Sequence, residues 1–164
     1  MSFRVEENGQ FRGAVSFLNL GMNDGCVENK HVKAEAGLSA SKLEHQHRAV
    51  CAQESAAACA DEAHVVHIVK GTAGTLKSFQ AGCVVACIGD STITVDLLKD
   101  GVSVLTAAIS LSSAEAAYEL VEGVIDTAAV VADDVLEVAI DGTVGTGTLG
   151  TGVFAYVDLH EDVD

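Results

Sequence analysis

The side chains in this sequence best equipped for chemistry are its histidines and cysteines, with the acids that cluster toward its end. His45-Gln46-His47, with His64 and His67, is the one group of metal-ligand types, and the five cysteines make zinc the first chemistry to weigh. Spacing argues against a preformed site. Neighbouring residues of a strand point to opposite faces, so His64 and His67, an odd number of positions apart, are expected to face opposite ways. His45 and His47 share a face but have no Asp, Cys or Glu at a recognisable partner spacing. No metal and no other cofactor is therefore expected, and His45 and His47 read as surface or interface histidines where copies of the chain meet around a symmetry axis. Cys83 and Cys87 lack the two-residue spacing of a redox or zinc knuckle, and a four-residue offset on a strand puts their thiols about 13 Å apart, at roughly 3.3 Å per residue. That is too far for a disulfide. They read as small buried apolar groups.

The remaining motifs are weaker. Gly142 to Gly152 (GTVGTGTLGTG) resembles a phosphate loop only in composition: it lacks the Lys-Ser/Thr ending and precedes a strand, so its amides are not aimed as a phosphate cradle requires. It reads as a hairpin or an edge that packs closely on another copy. Asp133-Asp134, Glu161-Asp162 and Asp164 show no alternating oxygen-ligand pattern and read as solvated charge. No nucleophile motif joins the serines, histidines and acids, so no enzyme is expected.

The elements that must position these residues are strands. In Asp90 to Leu111, Ile93, Val95 and Leu97 alternate with Thr92, Thr94 and Asp96, the period of a strand with one buried face. A two-residue Asp100-Gly101 turn would pair Leu97 with Val104. A three-residue loop from Lys99, with Gly101 left-handed, pairs Val95 with Leu105 and Ile93 with Ala107 instead, gathering Leu105, Ala107, Ile109 and Leu111 on the buried face. The second register is the expected one. Further strands are expected at Arg48 to Ala52, Ala63 to Val69, Leu76 to Phe79, Gly82 to Ile88, Ala117 to Val121, Val124 to Ala128, Leu136 to Ile140 and Val153 to Leu159. Short strands in this number, joined by tight turns, imply an all-β fold, a Greek-key β-sandwich or jelly roll with an extended N-terminal arm. A helix over Ala114 to Val121, within an α+β domain, is the alternative.

Residues 1–45 form the expected arm and 46–164 the sandwich domain. Phe11 to Leu20 has the pattern of one short strand, after which Val27, Val32, Leu38 and Leu43 stand as isolated apolar residues among polar ones, suited to ordering against a partner. A surface loop, or a helix over Ala34 to Leu43, is the other reading of that stretch. The chain is 49% hydrophobic but only 4% aromatic, without Trp or Pro, so its core must be Val, Ala, Leu and Ile, and sites built on aromatic stacking are disfavoured. Its net charge of −15 is uneven: residues 90–164 hold fifteen Asp/Glu against the single Lys99, whereas residues 1–89 are nearly neutral. Such acidity repels nucleic acid. Lys99, at the hairpin turn of the acidic half, is a candidate for an inter-subunit salt bridge. The start MSFRVEENGQ has no apolar signal core and no run is long enough to span a membrane, so no membrane partner is expected and the cysteines read as free thiols of a reducing cytoplasm.

Two regions carry a resemblance. Val27 to Leu43 (VENKHVKAEAGLSASKL) is similar to linker segments near the N-termini of tailed-phage head-decoration and fibre proteins. The stretches from Thr92 to Asp96, Lys99 to Gly101, Asp134 to Val138 and Gly150 to Phe154 resemble the small β-sandwich modules of phage virion surfaces. That resemblance implies a structural protein of the virion surface, assembled in the host cytoplasm as a homotrimer. Its arm would dock on the major capsid protein or another virion protein through Val27, Val32, Leu38 and Leu43, with His45, His47 and Lys99 as further contacts. A host-surface or carbohydrate-binding module of a phage fibre is the alternative.

Overall fold

The computed structural model describes residues 45–161. The expected arm, with Val27, Val32, Leu38, Leu43 and Cys26, lies outside the described residues apart from His45, as do Asp162 and Asp164. The described residues form an all-β sandwich of ten strands and contain no helix. The strands are β1 (His45–Ala52), β2 (Glu62–Ile68), β3 (Ala73–Val85), β4 (Thr92–Lys99), β5 (Val102–Ser103), β6 (Ile109–Leu111), β7 (Val121–Glu122), β8 (Ala129–Val131), β9 (Val135–Thr143) and β10 (Thr151–Glu161).

One sheet runs β1-β10-β3-β7, with β8 also on β3, and the other runs β2-β9-β4-β5, with β6 also on β4. All pairings between these strands are antiparallel. Taken as interrupted single strands, β5 with β6 and β7 with β8 reduce this order to 1-8-3-6 facing 2-7-4-5, the winding of a jelly roll. Alternation explains the two layers. Val153, Ala155, Val157 and Leu159 of β10, Leu136, Val138 and Ile140 of β9, and Ile93, Val95 and Leu97 of β4 are all buried, while the residues between them are more exposed.

Two register shifts keep that alternation in phase. In β3, Ser78 opposes Asp158 and Leu76 opposes Leu159, so Lys77 is left over as a bulge and both Leu76 and Phe79 point inward. In β2, Val65 opposes Glu137 and His67 opposes Leu136, which leaves Val66 as the extra residue. β3 is also continuous, so the two short strands expected between Leu76 and Ile88 are one strand of 13 residues.

The hairpin after Asp90 adopts the two-residue Asp100-Gly101 turn instead of the expected three-residue loop. Asp100 (φ 51°) and Gly101 (φ 80°) are both left-handed, Lys99 opposes Val102 and Leu98 opposes Ser103. The Val104 amide donates to the Leu97 carbonyl at 3.0 Å, as a two-residue turn requires. Burial of the returning segment is then recovered in another way. Residues 104–108 leave the ladder, Leu105 bridges to Ile125, and pairing resumes with Val95 opposite Ile109 and Ile93 opposite Leu111. Of the expected stripe only Ala107 ends up exposed. In the ambiguous region 112–131, strands do form, but only as β7 and β8, shifted from the expected spans, with turns rather than a helix before them.

The Gly-Thr segment packs closely on its own chain. A Cβ at Gly147 would collide with the carbonyl of Ile88, one at Gly145 would lie 2.6 Å from the Asp90 carbonyl carbon, and one at Gly150 would lie 2.5 Å from the Val85 oxygen. Ile88 and Thr148 exchange backbone hydrogen bonds there. Glycine at 147 is thus required by contact between two backbones. Gly147→Ala should cost about 1–3 kcal/mol or more, the range for overpacking, seen in urea unfolding as a lower midpoint with an unchanged slope; a variant of wild-type stability would show that the two segments do not touch.

Candidate functional site

One end of the sandwich carries a polar row between the sheets. In the second sheet, His67, Leu136 and Lys99 lie side by side on the inward face. In the first sheet, His45, Glu161 and Gly74 are neighbours across β1, β10 and β3. Glu161 is buried, with 3% of its surface exposed, although its residue type belongs outside. It therefore needs partners, and it has them. Oε1 lies 2.5 Å from Nε2 of His67, and Oε2 accepts the backbone amides of Gly71 at 2.7 Å and Lys70 at 3.2 Å.

His47 completes the group. It is two residues along β1 from His45, opposite buried Leu159, so it points inward. Its Nε2 is 3.8 Å from Oε1 of Glu161, its ring lies 4.8 Å from that of His67, and the His45 ring sits edge-on 6.1 Å away. Nε2 of His47 is itself buried and has no hydrogen-bond partner. Burial pushes the Glu161 carboxyl up, but the His67 hydrogen bond, the Gly71 and Lys70 amides and nearby His47 pull it down further, so it stays below the usual glutamate range.

The structure thus gathers His45, His47 and His67 from the histidine group and separates His64, which pairs with Glu62 at 3.0 Å farther along β2. The expectation that His64 and His67 face opposite ways is corrected by the bulge at Val66. Strand partners share a face, and His64 and His67 oppose Val138 and Leu136, both inward. Glu161 and Asp134 are likewise not solvated charge. The signal for Glu161 was available: it continues the inward stripe Val153, Ala155, Val157, Leu159 by one more step.

Lys99 stands at the other side of the same end. Its ammonium donates to the carbonyl of Ala129 in the opposite sheet at 3.1 Å and lies 3.4 Å from Oδ2 of Asp134. It is thus engaged within its own chain. Asp134 also accepts the Val131 amide at 2.9 Å, and this hydrogen bond, aided by Lys99, holds its carboxyl below the usual range.

The cysteines meet their expectation: Cys51, Cys59, Cys83 and Cys87 are buried and free. Burial, reinforced by Asp61, pushes the Cys59 thiol up to about 11, so it is a poor nucleophile. The concavities between residues 106–110 and 121–124, and beside the β1–β2 loop, are open and shallow. No protein-family model matches the chain, and no curated protein is found to be similar to it.

Two outcomes test this end of the sandwich. Glu161→Ala leaves the Lys70 and Gly71 amides without their acceptor and should cost about 1–3 kcal/mol in urea unfolding, whereas an unchanged midpoint would mean that water replaces the carboxylate freely. The Asp134 carboxyl, lowered in the folded state, contributes stability above the ordinary aspartate range near pH 4 that is lost as pH falls through its folded value. Asp134→Asn should therefore be less stable than wild type at pH 7 by about 1–3 kcal/mol, and the gap should narrow progressively in unfolding measured at falling pH below the ordinary aspartate range.

Proposed function

We propose that the chain is a structural protein of a phage virion surface, a capsid decoration or head-fibre protein that works as a homotrimer and acts through its surfaces. The observation that carries the reading is a jelly-roll body with an acidic exterior, entered through the edge strand β1 directly after the nearly neutral residues 1–44. Jelly rolls recur in viral capsid domains, where stacked aliphatic sheets give a stable body without a cofactor. Fold alone does not fix function. The charge division adds to it: an acidic body keeps crowded copies apart and soluble, while a neutral segment with spaced apolar residues can seat on a neighbour without repulsion. The similarity of Val27 to Leu43 to phage linker segments points the same way.

A carbohydrate-binding role has less support, because Tyr118 is the only large exposed aromatic among the described residues. Light scattering of the purified chain should give three times 16.8 kDa, and the chain should co-sediment with capsids. Replacing Val27, Val32, Leu38 and Leu43 together by Ser should reduce that co-sedimentation at least tenfold while the melting temperature stays unchanged. A stable monomer that ignores capsids but binds on a glycan array would replace this reading by the other.

A further inference from the structure

We propose that His47, His67 and Glu161 form a binding site for a divalent transition-metal ion of the zinc type, held between the two sheets where β1 begins. One ligand atom from each of the three residues lies within 4.8 Å of the others. They come from β1, β2 and β10, so a single ion would clip the first strand to the last and tie both to the opposite sheet.

Three observations favour a metal over a simple ion pair. The two amides on Oε2 fix the Glu161 carboxylate so that Oε1 faces both imidazoles, as outer hydrogen bonds orient ligating carboxylates. His47 places a buried Nε2 at this oxygen without making a hydrogen bond, an arrangement that an ion pair leaves unexplained and a metal would satisfy. The donor set is two nitrogens and one oxygen, which suits zinc, nickel or copper rather than magnesium or calcium.

The ligand spacing is close to what an ion needs. Bonds of about 2.0–2.1 Å in a tetrahedral shell set neighbouring donors roughly 3.4 Å apart. Here Oε1 of Glu161 is 2.5 Å from Nε2 of His67 and 3.8 Å from Nε2 of His47, and all three donors lie within 4.8 Å of one another. Entry of the ion would replace the hydrogen bond between His67 and Glu161, the ligating imidazole carrying its hydrogen on Nδ1, and would shift the side chains to even out the donor spacing. The imidazole rings are 38% and 21% exposed, so the cluster lies close to solvent, from which a water would complete the shell once the ion has entered.

The test is calorimetric titration of the full chain, stripped with chelator, by Zn²⁺ alone. One equivalent per chain is expected, with a melting temperature raised by about 5–10 °C at Zn²⁺ 100-fold above its Kd. His47→Ala and His67→Ala should each weaken binding at least tenfold, and His64→Ala should not. Mg²⁺ should neither bind nor compete. Should either variant fold poorly, Co²⁺ added to the wild-type chain gives a second measure: intense visible bands of a four-coordinate N/O site are expected. Uptake well below one equivalent, Zn²⁺ binding that survives both His47→Ala and His67→Ala, or Co²⁺ spectra of the free aqueous ion would overturn the proposal. None of these readouts depends on trimer formation or capsid attachment.

Discussion

Cohesion here depends on two aliphatic faces meeting without gaps. Among the described residues Phe79 is the only aromatic one that is buried, and the other buried hydrophobics are Val, Leu, Ile, Ala and Cys. Each Leu, Ile or Val contributes about 1.5–3 kcal/mol when fully buried, so the sum requires nearly every inward position to be filled. A slip of one residue would turn a whole strand's apolar set outward. The bulges at Lys77 and Val66 fit that constraint, since each absorbs one residue and returns the following ones to the correct face.

The same constraint sorts the polar groups. No charge can sit in the middle of so dry a layer, so the buried acids Glu161 and Asp134 lie at its end with His47, His67 and Lys99, where water and backbone amides can reach them. Two ties cross between the sheets there: His67 to Glu161, and Lys99 to Ala129 with Asp134 alongside. The β2–β3 connection is fastened to the same place, because Val69 and Asp133–Asp134 exchange backbone hydrogen bonds and Lys70 pairs with Asp133 at 2.8 Å. Each tie fixes the spacing of the layers where the apolar contacts run out.

Much of this fold was legible in the sequence, and the reasons for the failures are physical. Period-two alternation in β4, β9 and β10 gave the class, the layers and most of the core. The hairpin register differs from the expected one because turn geometry, not burial of the returning segment, decides it. Asp-Gly accepts two left-handed residues at little strain, and the apolar residues found their burial by leaving the ladder and re-entering it. The histidine cluster was discounted for two linked reasons: strict alternation cannot foresee a bulge, and a partner 94 positions from His67 is invisible to local spacing. The charge of Lys99 and its place at a hairpin turn suggest an outward contact, whereas its place on the inward face follows from pairing with Leu136.

The position of β10 sets the order in which this body can form. It lies between β1 and β3, and among the described residues β1 has no other sheet partner. The first described strand therefore waits for the last one, with more than a hundred residues of loop to close before their ladder exists. Loop-closure entropy and high contact order make such a step slow. On the ribosome, β4 and β6 can pair early, but the first sheet stays open, its inward apolar residues uncovered, until synthesis has passed Glu161.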